Sequence, residues 1–423
     1  MGIDNKKNEK TMTAEEILSS LYDGAVYTEL LPELDSEGTK AEVITACGKV
    51  NGMSVYVFVQ CVDRFDGAMS IAQANKLVKL YGLAVKTGYP VVGFYRDSTG
   101  RVMQGNMLLD VLGELLSSSS TLSGVVPQIS VVLGNCVSTT ALLAANADFV
   151  IKTESAKLSV SDSCCDGSKS AAFITEDEAS AVSKVAELLG YLPANNLSAA
   201  PFASEAAVGE CSDFDTVFDK DSKLTLFEKY CDVAELSFRT LDTAVVGTVK
   251  TTGKSVDNKT AKKIANFVRF CDAFSIPVIT AVDTEGFECL GGAKTILSAY
   301  AEATTPKLSV ITGNAVGMAY LSLAGKGAKV DAVIGVDGAV ISPVAPKAAA
   351  YIALSDKLSG TVAEQDKQID EYIKSELSAV NAAKQGFIDD VTDYQNLRNK
   401  LVNYLDILSA KREETLPKKH PTI

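Results

Sequence analysis

VPQISVVLGNCVSTTALLAANADFVIK (126–152) is the stretch that decides the fold. Its first part, VPQISVVLG (126–134), is a short apolar run with β-branched residues and no charge, which predicts a buried strand. Gly134-Asn135 then turns the chain, NCVSTTALLAANA (135–147) predicts a helical segment, and DFVIKT (148–153) predicts a second strand. The pattern occurs again in TPKLSVITGNAVGMAYLSLAGKGAKVDAVIG (305–335). Pro127 matches Pro306, Ser-Val-Val-Leu-Gly-Asn (130–135) matches Ser-Val-Ile-Thr-Gly-Asn (309–314), and Asp148 matches Asp331. KLSVS (157–161) is set against AVISP (339–343). A separation kept over four elements marks an internal duplication of about 150 residues.

Elements upstream of each copy agree. KVNGMSVYVFVQCVD (49–63) predicts two strands around an Asn-Gly turn. IAQANKLVKLYGLAVKTG (71–88) predicts an amphipathic helix ended by Gly88, followed by the strand YPVVGFY (89–95) and the turn DSTG (97–100). Before the second copy, AKKIANFVRFCDAFS (261–275) predicts a helix, IPVITAVD (276–283) a strand and TEGF its turn. The class is therefore α/β, in two domains expected at 1–210 and 211–423. Residues 162–225, with a helix near 176–190, are expected to connect them, and the chain is expected to end in helices from Ala363 to about Ser378 and from Asp393 to Lys411.

Composition narrows the chemistry. The 423 residues carry 40 Lys and Arg against 53 Asp and Glu, a net charge of -13, which argues against a broad nucleic-acid surface. No apolar run is long enough to span a bilayer, and the Lys-rich start MGIDNKKNEK has no apolar stretch behind it, so a soluble, cytoplasmic protein is expected. The one histidine, His420, sits in the tail KREETLPKKHPTI, which excludes a Ser-His-Asp or Cys-His apparatus and a His-ligated zinc site, leaving no metal site expected. The nine cysteines contain no C-x-x-C pair and are expected to be reduced core thiols, with Cys164-Cys165 two small loop residues.

Each copy places a strand, then Gly-Asn, then small residues opening a helix: Gly134 to Thr139 and Gly313 to Ala319. Free backbone N–H groups at such a turn can stabilise an oxyanion or enolate without any particular side chain. The alternative is that Gly and Ser simply close a strand–helix turn.

From about residue 42 to 412 the chain resembles the carboxyltransferase subunits of biotin-dependent acyl-CoA carboxylases and decarboxylases, of the propionyl-CoA carboxylase beta and methylmalonyl-CoA decarboxylase alpha type. The resemblance is carried by GKVNGMSVYVFVQ (48–60), GVVPQISVVLGNC (124–136), ADFVI (147–151) and KKIANFVRFCDAFSIPVITAVDTEGF (262–287). AYAEATTPKLSVITGNAVGMAY (299–320), GFIDDV (386–391) and LSAKREETLPKKH (408–420) extend it. It implies two tandem crotonase-like ββα-superhelix domains, the first on the acyl-CoA side and the second on the biotin side. It implies carboxyl transfer between biotin and the α-carbon of an acyl-CoA, with the first turn serving the thioester carbonyl and the second the biotin ureido oxygen. The expected catalytic positions are Ser138, Thr139, Met318 and Ala319, and the expected substrate-binding positions are Gly100, Arg101, Gly134 and Gly317. Neither a biotinylation site Ala-Met-Lys-Met nor a GxxxxGK[ST] phosphate loop occurs, so biotin is expected on a separate carrier protein, with a biotin carboxylase or a membrane decarboxylase subunit as a further partner. The family also implies a homo-oligomer, a trimer of dimers, with sites between the N-terminal half of one subunit and the C-terminal half of another.

The ligand-facing turns depart from the family pattern. Ser138-Thr139 replace two glycines, and Gly317-Met318-Ala319 replace Gly-Gly-Ala. Asp97-Ser98-Thr99-Gly100-Arg101 is one residue shorter than Asp-Ser-Gly-Gly-Ala-Arg, and Phe65-Asp66-Gly67-Ala68 stands for Phe-Gly-Gly-Ser. Roughly ten family residues are missing between Phe287 and Gly292. These edits fit a changed substrate, a non-catalytic structural paralogue within such a complex, or another crotonase-type CoA reaction. Arg101 is expected to face CoA phosphates, Lys76 to lie on a solvated helix face, and Lys262-Lys263 and Lys418-Lys419 on the surface.

Overall fold

The computed structural model describes residues 11–96, 100–161 and 164–413. The start of the chain, most of the DSTG turn, and the tail holding His420 and Lys418-Lys419 lie outside the described residues. The chain divides into two compact units, Met1–Ala200 and Pro201–Ile423.

The first unit opens with α1 (Ala14–Leu21), held by a capping box between Thr13 and Glu16, and the edge strand β1 (Tyr27–Glu29). The hairpin β2 (Val43–Val50) and β3 (Met53–Gln60) pairs Val50 with Met53 across Asn51 and Gly52, both at positive φ, as a tight two-residue turn requires. α2 (Ile71–Thr87) starts on the Ser70 hydroxyl and stops at Gly88 in the left-handed region. Then follow β4 (Val91–Tyr95), α3 (Asn106–Leu122), β5 (Gln128–Val132), β6 (Asn135–Val137), α4 (Thr139–Ala145), β7 (Phe149–Thr153), β8 (Lys157–Ser161), β9 (Cys164–Asp166), β10 (Phe173–Thr175) and α5 (Glu178–Leu189). The main sheet runs β1-β2-β3-β4-β5-β7-β10, and β6, β8 and β9 form a small separate sheet. Every residue of β4, β5 and β7 is buried, which is why these strands are apolar runs rather than alternating ones.

The second unit repeats this order. β11 (Leu224–Leu226) edges the hairpin β12 (Ala234–Leu241) and β13 (Ala244–Thr251), followed by α6 (Asn258–Ala273), β14 (Val278–Thr284), α7 (Leu290–Glu302), β15 (Lys307–Val316), α8 (Met318–Leu323), β16 (Ala332–Val336) and β17 (Val340–Ser342). α9 (Pro346–Leu354), α10 (Val362–Glu376), α11 (Ala379–Lys384), β18 (Asp390–Thr392) and α12 (Tyr394–Leu408) complete it. The sheet runs β11-β12-β13-β14-β15-β16-β18, with β17 on the far end of β15. Each unit is thus a crotonase-like repeat, as the resemblance implies.

Several sequence expectations change. Asn135–Val137 is a strand, not the start of the helix, because it pairs in parallel with β8. Residues 171–192 are no connection: β10 completes the first sheet, and α5 buries Ala181, Val182, Val185, Leu188 and Leu189. The alignment of KLSVS with AVISP is off by one, since Asn135 pairs with Lys157 while Asn314 pairs with Val340, so Ser159 corresponds to Ser342. Lys76 is buried, its ammonium donating to the Val43 carbonyl (3.0 Å) and the Glu29 carboxylate (3.3 Å). Lys263 is half-buried, donating to the Tyr230 carbonyl (2.8 Å) above the Phe227 and Tyr230 rings. Cys61, Cys136 and Cys271 are core thiols, but Cys289 is exposed and caps α7 by accepting the Gly292 N–H, and Cys164-Cys165 fall in a strand.

Candidate functional site

The first turn is set by close backbone packing. Gly134 has no side chain because a Cβ there would stand 1.9 Å from the Arg96 carbonyl oxygen. Its carbonyl accepts the Lys157 N–H (3.1 Å), which starts the pairing of β6 with β8. The chain then reverses at Ser138, a non-glycine residue at φ 66 and ψ -128, directly before α4. The Ser138 N–H donates to the Ser159 carbonyl (3.1 Å), and the first turn of α4 is closed by the Leu142 N–H on the Ser138 carbonyl (3.1 Å). The N–H groups of Thr139 and Thr140, followed by that of Ala141, precede that first bond. Thr139 and Thr140, rather than Ser138 and Thr139, lead the backbone donors the turn leaves over.

The second turn reproduces this geometry. Gly317, at φ 48, precedes α8; its N–H donates to the Ser342 carbonyl (2.8 Å), and the Leu321 N–H donates to the Gly317 carbonyl (3.2 Å). Met318 and Ala319 occupy the positions of Thr139 and Thr140, with the Met318 side chain 43% exposed. Upstream, the Asp283 carboxylate accepts the Asn314 N–H (2.9 Å), and a Cβ on Gly313 would lie 2.3 Å from that carboxylate. Asp283 therefore holds this turn, as the Arg96 backbone holds the first.

A pocket of about 370 Å³ opens beside the first turn, lined by Ser138, Thr139, Ala141, Leu142, Ala145, Leu158, Ser159, Val160, Gly167 and Ser170. Among the described residues, no charged one lines it. It suits the apolar end of a ligand with one or two oxygens to satisfy, not a phosphate.

Gly100 and Arg101 are placed elsewhere in the first unit and do not line this pocket. Gly100 bridges to Met69. The Arg101 guanidinium donates to the fully buried Glu42 (2.8 Å) and to Glu37 (2.7 Å) and lies over the Phe65 ring, with its side chain 12% exposed. Glu42 also accepts from the Ser36 and Ser70 hydroxyls. Arg101 is thus a clamp between the 33–42 loop and the Phe65 turn. Its charge is already matched by two carboxylates within the first unit. Ser159, Ser342, Thr140 and Asp283 join the site without having stood out in the sequence; the matched Ser159 and Ser342 become visible only once the strand register is known.

The carboxyl transferase domain family matches residues 6–161 and 239–423. Among similar proteins, the propionyl-CoA carboxylase carboxyltransferase subunit of Haloferax mediterranei is 31% identical over 90% of this chain and 85% of the other. Methylmalonyl-CoA decarboxylase subunit alpha of Propionigenium modestum is 29% identical over 97% of this chain and 93% of the other. Among solved structures, a transcarboxylase 12S hexamer with methylmalonyl-coenzyme A bound aligns with a TM-score of 0.88 at 26% identity, covering 97% of this chain and 92% of that one. The match spans both repeats and both turns just described. The chain is a divergent member of the carboxyl transferase domain family, the enzymes its sequence resembles.

Proposed function

We propose that this chain is the carboxyltransferase subunit of a biotin-dependent acyl-CoA carboxylase or decarboxylase, moving a carboxyl group between carrier-borne biotin and an acyl-CoA. The observation that carries this reading is the duplicated turn: in both repeats a strand serine takes the N–H of the residue before the helix, and the first two of the three N–H groups that follow are offered to a ligand. In the first unit Thr139 lines a pocket whose described residues are uncharged and which accommodates a short acyl group, and the N–H groups of Thr139 and of Thr140 behind it would receive the thioester oxygen. In the second, Met318 and Ala319 offer the same pair, and the bare backbone of Gly317 adds no bulk, so the residues fit a ureido oxygen. Biotin, when bound, supplies or receives the carboxyl group. The residues of this chain orient the two oxygens and stabilise developing negative charge, and losing one such donor typically slows a reaction about 10²–10³-fold.

The same reading makes the protein a cytoplasmic hexamer, a trimer of dimers, working with a biotin carrier protein and either a biotin carboxylase or a membrane decarboxylase subunit. The hexamer of the aligned transcarboxylase 12S supports the assembly, and no helix among the described residues is long and apolar enough to cross a membrane. The test is decarboxylation of malonyl- and methylmalonyl-CoA with and without the biotin carrier, on the natural protein and on Met318→Gly. Turnover that requires the carrier, and rises with free biotin in Met318→Gly, is expected. If neither folded protein turns over any acyl-CoA, a scaffold role replaces the enzymatic one.

A further inference from the structure

Buried hydroxyls nearly always find a hydrogen-bond partner, because an unmade bond leaves the loss of water uncompensated. Among the described residues, two serines do not. Ser159 and Ser342 are each 3% exposed, and neither Oγ has a hydrogen-bond partner. They hold the same place in the two repeats: Ser159 pairs with Val137, Ser342 pairs with Val316, and each lends its carbonyl to the N–H that sets the turn. Their flanking residues differ, Leu158 and Val160 against Ile341 and Pro343, so the serine itself is what the two copies share. The carbonyl contact needs no particular side chain. The hydroxyl is surplus to the fold in both places.

Around Ser159 this surplus has an address. Ser159 lines the pocket of about 370 Å³, whose neighbouring walls are Ala141, Leu142, Ala145, Leu158 and Val160. Thr140, fully buried on α4, carries a second hydroxyl without a partner. Binding sites for small ligands are mostly apolar and fix their occupant through a few polar groups. A hydroxyl can both donate and accept, so it suits a carbonyl or carboxylate oxygen equally.

We propose that Ser159 and Ser342 are specificity-determining hydrogen-bond donors, one per repeat, each reserved for an oxygen of the ligand its turn receives. Ser159 serves the acyl oxygen of the CoA thioester and Ser342 the ureido oxygen of biotin. This rests on the carboxyl-transfer reading and adds to the backbone donors a side chain that senses whether an oxygen is present.

The test uses the full-length chain as Ser159→Ala and Ser342→Ala. Wild type and both variants are titrated calorimetrically with propionyl-CoA, with propyl-CoA (the thioether that lacks the carbonyl oxygen), and with biocytin. Ser159→Ala is expected to lose about tenfold in affinity for the thioester, the size of one hydrogen bond, and nothing for the thioether. Ser342→Ala is expected to weaken biocytin binding by a similar factor and to leave both CoA ligands unchanged. Neither variant should lower Tm, since no internal bond is lost. Equal losses for thioester and thioether, unchanged affinities throughout, or a fall in Tm of several degrees would each overturn the proposal. A wild type that binds propionyl-CoA but transfers no carboxyl group sinks the enzymatic reading alone; one that binds neither CoA ligand nor biocytin overturns this inference as well.

Discussion

Ser138→Gly and Gly317→Ala make opposite demands on two equivalent positions. Ser138 sits at φ 66 and ψ -128, where a side chain is tolerated at a cost of about 1–3 kcal/mol. Removing its Cβ relieves that strain, while the added freedom of glycine in the unfolded chain takes back about 0.5–1 kcal/mol. The net expectation is a gain of about 0.5–2 kcal/mol. At Gly317, φ is 48 and an added Cβ would stand 2.8 Å from the Pro343 carbonyl oxygen. The left-handed backbone and the forced shift of β17 together predict a loss of about 2–4 kcal/mol. For a unit of this size, where about 1 kcal/mol moves Tm by roughly 2–4 °C, Ser138→Gly should raise the midpoint by a few degrees and Gly317→Ala lower it on the order of 10 °C. Differential scanning calorimetry on the three proteins reads both shifts. Destabilisation by Ser138→Gly would refute the strain argument, and a neutral Gly317→Ala would show that β17 yields without cost. A functional readout runs alongside: the Thr139 and Thr140 N–H groups survive Ser138→Gly, so acyl-CoA affinity should stay level or rise. A large loss would mean that the Ser138 hydroxyl binds substrate.

Three further outcomes are expected. Burial, with Lys411 as a lesser influence, lowers the Lys307 ammonium from 10.5 to about 8 while the Tyr300, Ala303 and Ala328 carbonyls accept its protons. Because the unfolded chain then binds the extra proton between pH 8 and 10.5, this group's contribution makes wild-type stability rise over that window. Lys307→Gln, which installs the residue found at the equivalent Gln128, should remove that rise in denaturant titrations compared pH by pH with wild type. Arg101→Ala strands the buried Glu42 carboxylate and should cost about 3–5 kcal/mol, with Arg101→Ala combined with Glu42→Gln recovering part of it; weakened CoA binding at unchanged Tm would instead restore Arg101 to the phosphates. Light scattering at micromolar concentration should show an oligomer, and a particle of 44.6 kDa, one chain, would refute the proposed assembly.

The repeat and its buried parallel strands were legible because both depend on runs of apolar residues and on glycines that no other residue can replace. Asn51-Gly52 announced the first hairpin for the same reason. The hairpin of the second unit was not legible: it turns on Asp242 and Thr243, both at positive φ, and Asp-Thr lacks the Gly that marks such a turn in sequence. Lys76 and Lys263 were misplaced because a helical period shows which face a lysine occupies, not that carbonyls and rings wait to receive its ammonium. The donors of the first turn slipped by one residue, from Ser138–Thr139 to Thr139–Thr140, since the bond that consumes the Ser138 N–H comes from Ser159 on another strand. Short-range reading does not reach a partner that the register alone supplies.

What the frame and the turns each contribute differs in kind. Asp148 and Asp331 form the same reciprocal clamp in the two units: Asp148 accepts the Gln128 N–H (2.8 Å) and donates to the Gln128 carbonyl (3.0 Å), and Asp331 does the same with Lys307 (2.8 and 2.9 Å). That clamp needs a short side chain with an acceptor oxygen, and both units supply Asp. It holds even where burial pushes Asp148 up to about 7, while in the second unit Lys411 adds an ion pair to Asp331 (2.9 Å). The turn donors differ in kind. Their N–H groups belong to the main chain, so Thr139 or Met318 can present them as well as glycine can, provided the strand serine fixes the turn. Side chains there are free to alter the shape offered to the ligand without dismantling the donor pair. Under the proposed function, side chains in the turns can therefore vary over the frame of carboxylate clamps and buried strands that the two units share, and a search for altered specificity goes to the Thr139 and Met318 side chains first.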